Sequence, residues 1–287
     1  MGSVTKTRKR DLAVIFITLN EEFHIGSAID NVSDIAKEVW VVDSGSSDRT
    51  VAIAESKGAR VVYHKFEGFG AQWNFALSLP IRTSWTMKMD PDERLTEALK
   101  IEIMEALSEG GRALWDNHEC HLGFSFDRVL WFMGKRLDGV RNEVQRIWRT
   151  GDCHFSDVSV NEYPLIRGKW VRLKAGMDHL DSRDLSHWLA KQNGYTSREA
   201  QMRFLGSRMA ADPKLFGSAL ERRMWLKKTI RNLPGRYLVE NFYNFFMLGA
   251  WKSGMAGWRW VKCREMVSRL CEYKYIEMRD SDGSDAV

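Results

Sequence analysis

Cysteine is scarce in this chain. The four cysteines among 287 residues, Cys120, Cys153, Cys263 and Cys271, form no Cys-x-x-Cys pair and have no zinc spacing. That speaks against a disulfide framework or a structural zinc, and it fits free thiols in a reducing compartment. Long hydrophobic runs are also missing. The opening MGSVTKTRKR is basic, but the apolar run after it, Leu12 to Leu19, is too short and too strand-like for a signal peptide or a membrane span. A cytoplasmic protein is the expectation. No glycine-rich phosphate loop follows the first apolar run; Leu19-Asn20-Glu21-Glu22 stands there instead. This argues against a nicotinamide or flavin Rossmann enzyme, and no Walker A sequence is present. Internal repeats and low-complexity segments are lacking.

What is present is an ordinary globular composition, 44% hydrophobic and 28% charged, long enough for one large domain or two small ones. The net charge of +5 is unevenly spread: Arg198 to Arg231 alone holds nine Lys/Arg against three Asp/Glu. Such asymmetry suggests that the second half faces something anionic. The cations there alternate with Phe204, Leu205, Met209, Phe216, Met224 and Trp225. That mixture suits an interfacial helix on an anionic leaflet, and equally a solvated face on a packed helix. Nucleic-acid binding is not expected.

Strand and helix patterns alternate through the first third. Leu12–Thr18, Val39–Val42, Ala59–Tyr63 and Trp85–Met89 read as strands. Phe23–Ile35, Val51–Lys57, Ala71–Leu79 and Glu97–Leu107 read as helices. This predicts an α/β chain with a mostly parallel, doubly wound, Rossmann-like sheet. Strand character continues at Cys120–Trp131 and Val144–Trp148. From Asp184 onward the pattern is helical, at Leu185–Phe204, Pro213–Ile230, Tyr237–Trp251 and Trp258–Met278. The expected organisation is a basic tail (1–10), an α/β domain (11–180), a helical region (181–279) that faces something anionic, and a disordered acidic tail (280–287).

In such sheets ligands bind beyond the carboxyl ends of the strands. Polar turns emerge there at Thr18–Glu22, Asp43–Thr50 and Asp90–Arg94. The last crowds Asp90, Asp92 and Glu93 into four positions. Mutual repulsion makes that costly unless something positive sits among the carboxylates. An isolated acidic turn of this kind has two readings: a solvated helix start, or a site for Mg²⁺ or Mn²⁺.

The segments Phe16-Ile17-Thr18-Leu19-Asn20-Glu21-Glu22, Val42-Asp43-Ser44-Gly45-Ser46-Ser47-Asp48-Arg49-Thr50, Gly68-Phe69-Gly70-Ala71-Gln72-Trp73-Asn74 and Met89-Asp90-Pro91-Asp92-Glu93 resemble the successive signatures of family-two glycosyltransferases with the GT-A fold. Val160-Asn161-Glu162-Tyr163-Pro164-Leu165, Asp178-His179-Leu180 and Lys191–Ala200 further resemble the bacterial subgroup acting on the lipopolysaccharide core and related envelope glycans. The resemblance implies a hexose moved, with inversion, from a nucleoside-diphosphate sugar to such a glycan or a lipid-linked glycan. It implies peripheral association with the cytoplasmic face of the inner membrane.

The roles it implies fall on named residues. Asp43 would hydrogen-bond the nucleobase or ribose; the other reading of an Asp at this strand end is a helix cap, a task that Ser46, Ser47 or Asp48 could take instead. Thr18, Asn20, Glu21, Gln72 and Asn74 would line the nucleotide. Trp73 stands where many relatives carry a basic residue, so charge for the phosphates would come from Arg82, Lys88 or a later residue. Asp90 and Asp92 match the family's acidic pair, with Asp92 on the metal, Asp90 on ribose or metal-bound water, and His179 as a further ligand. Glu162 would be the general base, with Asp157 next in line. Asn161 replaces the family's His before it. Two other readings stay open: a degenerate nucleotide-sugar-binding subunit of an envelope assembly, and a sugar nucleotidyltransferase.

Overall fold

The computed structural model describes residues 9–108, 122–156, 163–206, 214–217 and 233–284, with a few positions between 217 and 233. The first strand, β1 (Arg10–Thr18), is the reason for the rest of the first unit. Leu12 through Phe16 are each fully buried. A strand buried on both faces needs a layer on each side. Leu12, Val14 and Phe16 point to one core, with Ile25, Ile29 and Val32 of α1 (Ile25–Val32) and Leu99 and Ile103 of α4 (Glu97–Ala106). Ala13 and Ile15 point to the other, with Trp73 and Ala76 of α3 (Phe69–Leu77). Each of the larger buried side chains contributes about 1.5–3 kcal/mol.

Parallel neighbours flank β1: β2 (Ala36–Asp43) on one side and β4 (Trp85–Met89) on the other, with β3 (Arg60–Tyr63) beyond β2 and α2 (Thr50–Ser56) between them in sequence. The doubly wound expectation holds for this half. Beyond β4 the sheet changes character. The remaining strands are β5 (Glu93–Leu95), β6 (Leu122–Phe132), β7 (Lys135–Arg149), β8 (Cys153–Phe155), β9 (Pro164–Ile166), β10 (Lys169–Arg172) and β11 (Met177–His179). Among the described residues the nine-stranded sheet runs β3-β2-β1-β4-β7-β6-β11-β5, with β10 also on β6 and β8-β9 a separate pair. β7 pairs antiparallel with β4, and β11 antiparallel with β5. β6 and β7 join at Met133-Gly134, both at positive φ.

The chain divides into two units. The first holds residues 1–129 and 142–180, the second 130–141 and 181–287. The sequence reading kept all of 11–180 together; the tip of the β6–β7 hairpin belongs instead with the helices. The second unit contains α5 (Leu185–Phe204), α6 (Arg236–Phe242) and α7 (Gly254–Ser284), packed around Phe132, Leu137, Trp188, Trp260 and Val261.

Two helical expectations need correction. The helix read at 237–251 breaks into α6, a π-helical turn (Tyr243–Met247) and a 3₁₀ turn (Ala250–Ser253). Gly249, at φ 80°, separates the π-helical turn from the 3₁₀ turn, and Gly254, at φ 56°, ends the 3₁₀ turn, backbone that glycine adopts without strain; α6 passes into the π-helical turn with no glycine between them. The tail read as disordered from Asp280 continues α7 to Ser284. Of the helix read at 213–230, residues 214–217 form a turn, 221, 222, 224, 225 and 229 are helical, and the rest lies outside the described residues.

Candidate active site

β1 and β2 end level, with Thr18 opposite Asp43 in the register. Their following turns are therefore neighbours, and their polar side chains bind one another. Asp43 is 3% exposed. Its Oδ1 accepts from Thr18 Oγ1 at 3.0 Å and Ser46 Oγ at 2.5 Å, and its Oδ2 from the Gly45 and Ser46 amides. Asn20 sits at φ 58°, a conformation its short amide tolerates. It accepts from the Ser47 amide at 2.8 Å, and its own amide donates to Ser46 Oγ. The Glu21 amide donates to Thr50 Oγ1 at 2.7 Å. The structure thus brings Thr18, Asn20, Glu21 and Asp43 together at the carboxyl edge of the sheet, braced by mutual hydrogen bonds.

The two polar residues of α3 have mechanical partners. Gln72, fully buried, accepts from His64 Nδ1 at 2.8 Å and donates to Ser44 Oγ and the His64 carbonyl, tying α3 to the turn after β2. Asn74 clamps the Phe155 backbone from both sides: its Nδ2 donates to the carbonyl at 3.0 Å and its Oδ1 accepts from the amide at 2.8 Å. Between them Trp73 is fully buried, and the Lys88 ammonium lies 4.5 Å from its ring centre and 5.2 Å from that of Phe155. A cation that α3 lacks thus comes from β4. Arg82 is held away from this edge, its amide donating to Glu38.

The acidic turn follows β4 directly. Glu93 opens β5 and is fully buried, with His179 its register partner on β11. Arg146 of β7 contacts both Glu93 and Asp90, the latter at 3.0 Å. Arg128 of β6 lies 3.2 Å from Glu93 and 4.0 Å from Asp90. These guanidiniums are the positive charge that the repulsion argument demanded. Burial works to raise the Asp90 carboxyl, but Arg146, Lys88 and Arg128 overcome it and hold it below its ordinary value. Burial would lower the Arg146 guanidinium, and Glu93 and Asp90 outweigh it upward. At Glu93 burial prevails over the arginines and lifts the carboxyl. With both guanidiniums in contact with one carboxylate, Glu93 and the two arginines form a buried ion-pair cluster. Neither arginine was singled out in the sequence. Their only signal there is charge inside apolar strands.

Asp92 turns to His179, with Oδ2 3.4 Å from Nε2, and its carbonyl accepts from the Leu180 amide at 2.8 Å. Both side chains offer a ligand atom for one cation. Asp90, read as sharing that cation, is engaged by Arg146 instead. Arg94 fastens the turn from below, donating to the Pro91 and His24 carbonyls and to Ser27 Oγ. Glu162 and Asp157 lie outside the described residues, in the connection between β8 and β9. The ends of that connection are joined by the Ser156 amide donating to the Tyr163 carbonyl at 3.4 Å and the Tyr163 amide to Ser156 Oγ at 3.3 Å.

A profile of glycosyl transferase family 2 matches residues 13–135, which include all three polar turns and Arg128. An uncharacterized glycosyltransferase of Rickettsia conorii is 41% identical over 210 residues, covering 69% of this chain and 72% of the relative. The lipopolysaccharide core biosynthesis glycosyltransferase LpsC of Rhizobium meliloti is 35% identical over 105 residues, covering 35% and 38%. Among solved structures, glucosyl-3-phosphoglycerate synthase from Mycobacterium tuberculosis, in complex with Mn²⁺, UDP and glucosyl-3-phosphoglycerate, aligns at 26% identity and a TM-score of 0.32. That alignment covers 41% of this chain and 44% of the synthase, so the chain spans less than half of that protein. The extent of the Rickettsia match and the profile over the strand-end turns lead to one assignment: this chain belongs to glycosyl transferase family 2 and is a glycosyltransferase of the GT-A fold.

Proposed function

We propose that this glycosyltransferase moves a hexose, with inversion at the anomeric carbon, from a nucleoside-diphosphate sugar to a lipopolysaccharide-core or other envelope glycan, using Mg²⁺ or Mn²⁺. The observation that carries the donor site is the division of roles in the acidic turn. Arg128 and Arg146 engage Asp90 and Glu93, while Asp92 faces His179 at 3.4 Å. Neighbouring ligands of an octahedral ion lie about 3 Å apart, so this pair fits one ion with little adjustment. A carboxylate with an imidazole suits Mn²⁺ at least as well as Mg²⁺. When bound there, a divalent cation supplies a Lewis acid for the charge that grows on the departing diphosphate.

The chain's own residues do the rest. Asp92 and His179 would hold the ion, and the two arginines keep Asp90 and Glu93 fixed so that the turn holds its shape. The nucleoside lies over the turns after β1 and β2, whose backbone Asp43 braces. Glu162 takes the proton from the acceptor hydroxyl as that oxygen bonds to the anomeric carbon and the bond to phosphate breaks; Asp157 is the second candidate. The likeness to LpsC supports a lipopolysaccharide-core acceptor. An acceptor carried on lipid A would bring the enzyme to the cytoplasmic face of the inner membrane. Among the described residues no helix is long and apolar enough to cross a membrane, which suits peripheral attachment.

A panel of nucleotide sugars with Mn²⁺ or Mg²⁺, followed by release of nucleoside diphosphate, tests the reading. Glu162→Gln should slow turnover by about 10²- to 10⁴-fold while donor affinity stays near wild type. Failure of every nucleotide sugar to bind saturably, with or without metal, would overturn the donor site. Full activity in Glu162→Gln would move the base elsewhere.

A further inference from the structure

The second unit carries an apolar surface that the donor site does not use. Phe242, Phe246, Met247, Trp251, Met255 and Trp258 are each between 42% and 68% exposed. They come from the short segment running from the end of α6 through the π-helical and 3₁₀ turns into α7.

This segment is tightly seated. Phe245 and Leu248 pack on the core of the unit, and Ala250 is buried within it. A Cβ built at Gly139 would meet the Gly249 carbonyl oxygen at 1.8 Å, and one at Gly257 would meet that of Ala250 at 1.9 Å. The aromatics are therefore displayed by backbone in close contact with its neighbours. The patch is also continuous: Phe242 contacts Phe246, Phe246 contacts Phe245, and Phe245 contacts Trp258, at ring-centre distances of 5.0–5.5 Å.

Its charge is mostly positive. Leu233 to Glu265 contains five Lys/Arg against two acids, Glu240 and Glu265, and Glu265 pairs with Lys262 at 2.7 Å, which leaves Lys252, Arg259 and Arg264 as the excess. Lys252 lies 5.8 Å from the Trp251 ring centre and Lys262 lies 5.2 Å from that of Trp258. Exposed aromatic and thioether side chains rimmed by cations are what the headgroup layer of an anionic bilayer accommodates, apolar bodies at the acyl boundary and ammonium groups among phosphates. Water alone offers such side chains nothing, and a self-associating face would need acids to answer the cations.

We propose that this face, Phe242 to Trp258 with Lys252 and Lys262 at its rim, seats the enzyme on an anionic lipid leaflet. The proposal rests on the reading of a lipid-borne acceptor and assigns the membrane contact to this surface. The earlier expectation placed it on Arg198 to Arg231, about half of which lies outside the described residues.

The test is flotation of the full chain with phosphatidylcholine vesicles containing or lacking phosphatidylglycerol. Wild type should float with the anionic vesicles and fall off as salt rises. Phe246→Ser/Met247→Ser/Trp251→Ser should lower the bound fraction by about tenfold or more. Lys252→Glu/Lys262→Glu keeps the apolar face and should lose only the preference for anionic lipid. Circular dichroism checks that each variant is folded. Donor hydrolysis to nucleoside diphosphate, measured without vesicles, should match wild type in both variants. No flotation of wild type, or equal flotation of the folded serine variant, would overturn the proposal. So would conversion of a dimer to a monomer by the serine substitutions without vesicle binding, which would make the face a contact between copies. Failure of the donor-site reading would appear instead as wild type that floats but cleaves no nucleotide sugar.

Discussion

Removing the Arg146 side chain would leave Glu93, fully buried, facing fewer positive charges. Breaking a buried pair by deleting one partner typically costs about 3–5 kcal/mol, because the remaining charge has lost its compensation. Arg146→Met should therefore shift the urea midpoint by a large fraction of total stability. Arg146→Met/Glu93→Gln should recover part of that loss. An unchanged midpoint in the single variant would remove the pair from any account of the turn. The sequence made this need visible without naming its answer. Three carboxylates in four positions require a cation, but the two that serve come from β6 and β7, and nothing local marks Arg128 or Arg146 as their partners. Asp43 shows the converse. Its place at the end of β2 was legible from the apolar run before it. Three of its four donors are local, from Gly45 and Ser46 in the turn itself; the fourth, Thr18, was not legible, because it depends on Thr18 lying level with Asp43 across a strand pair.

At the level of elements, β1, β2 and β4 were readable because each carries a buried apolar run closed by a polar turn, and β3 because its short Val61-Val62 run follows the helix stop at Gly58. In the antiparallel half, β6 was legible as the strand character at Cys120–Trp131 and the end of β7 as that at Val144–Trp148, but their pairing was not. β6 and β7 are one hairpin, yet Met133-Gly134 lacks the Asn-Gly signature of a tight turn, and β7 alternates too weakly to reveal its length. β5 and β11, three residues each, are too short for any periodicity. The clamp from α3 to β8 offers a test at this scale. Asn74→Leu would strand the Phe155 amide and carbonyl and should destabilise by about 1–3 kcal/mol. Hydrogen exchange at Phe155 should rise, and turnover should fall more than donor affinity, because β8 leads straight into the connection bearing Asp157 and Glu162. Unaltered exchange at Phe155 would mean that β8 is held by its apolar contacts alone.

For the molecule as a whole, acid should weaken both units over a similar range. In the first, hydrogen bonds from Lys37 and Ser84 hold the Asp11 carboxyl down at about 2, against an ordinary 3.8. In the second, hydrogen bonds from Asn241, Lys262 and Arg269 hold Glu265 at about 2, against 4.5. A carboxylate depressed in the folded state gives stability that is present above its unfolded value and lost as pH falls through the folded one. Glu265→Gln should therefore melt below wild type at neutral pH, with the gap narrowing as pH drops from 4.5 toward about 2. A gap that stays constant across that range would show that Glu265 acts through shape and not through charge.

The pairing of β5 with β11 also sets an order of events during synthesis. Glu93 emerges about a third of the way through translation, and its register partner His179 only after the midpoint. The βαβ units from β1 to β4 close over short loops and can form while the ribosome is still at work. Asp92 acquires His179 as a neighbour only when the last strand of the sheet has left the exit tunnel and docked. The nascent chain is thus a folded scaffold before it has a complete cation pair, and it carries that unfinished edge for the 86 residues of translation between Glu93 and His179.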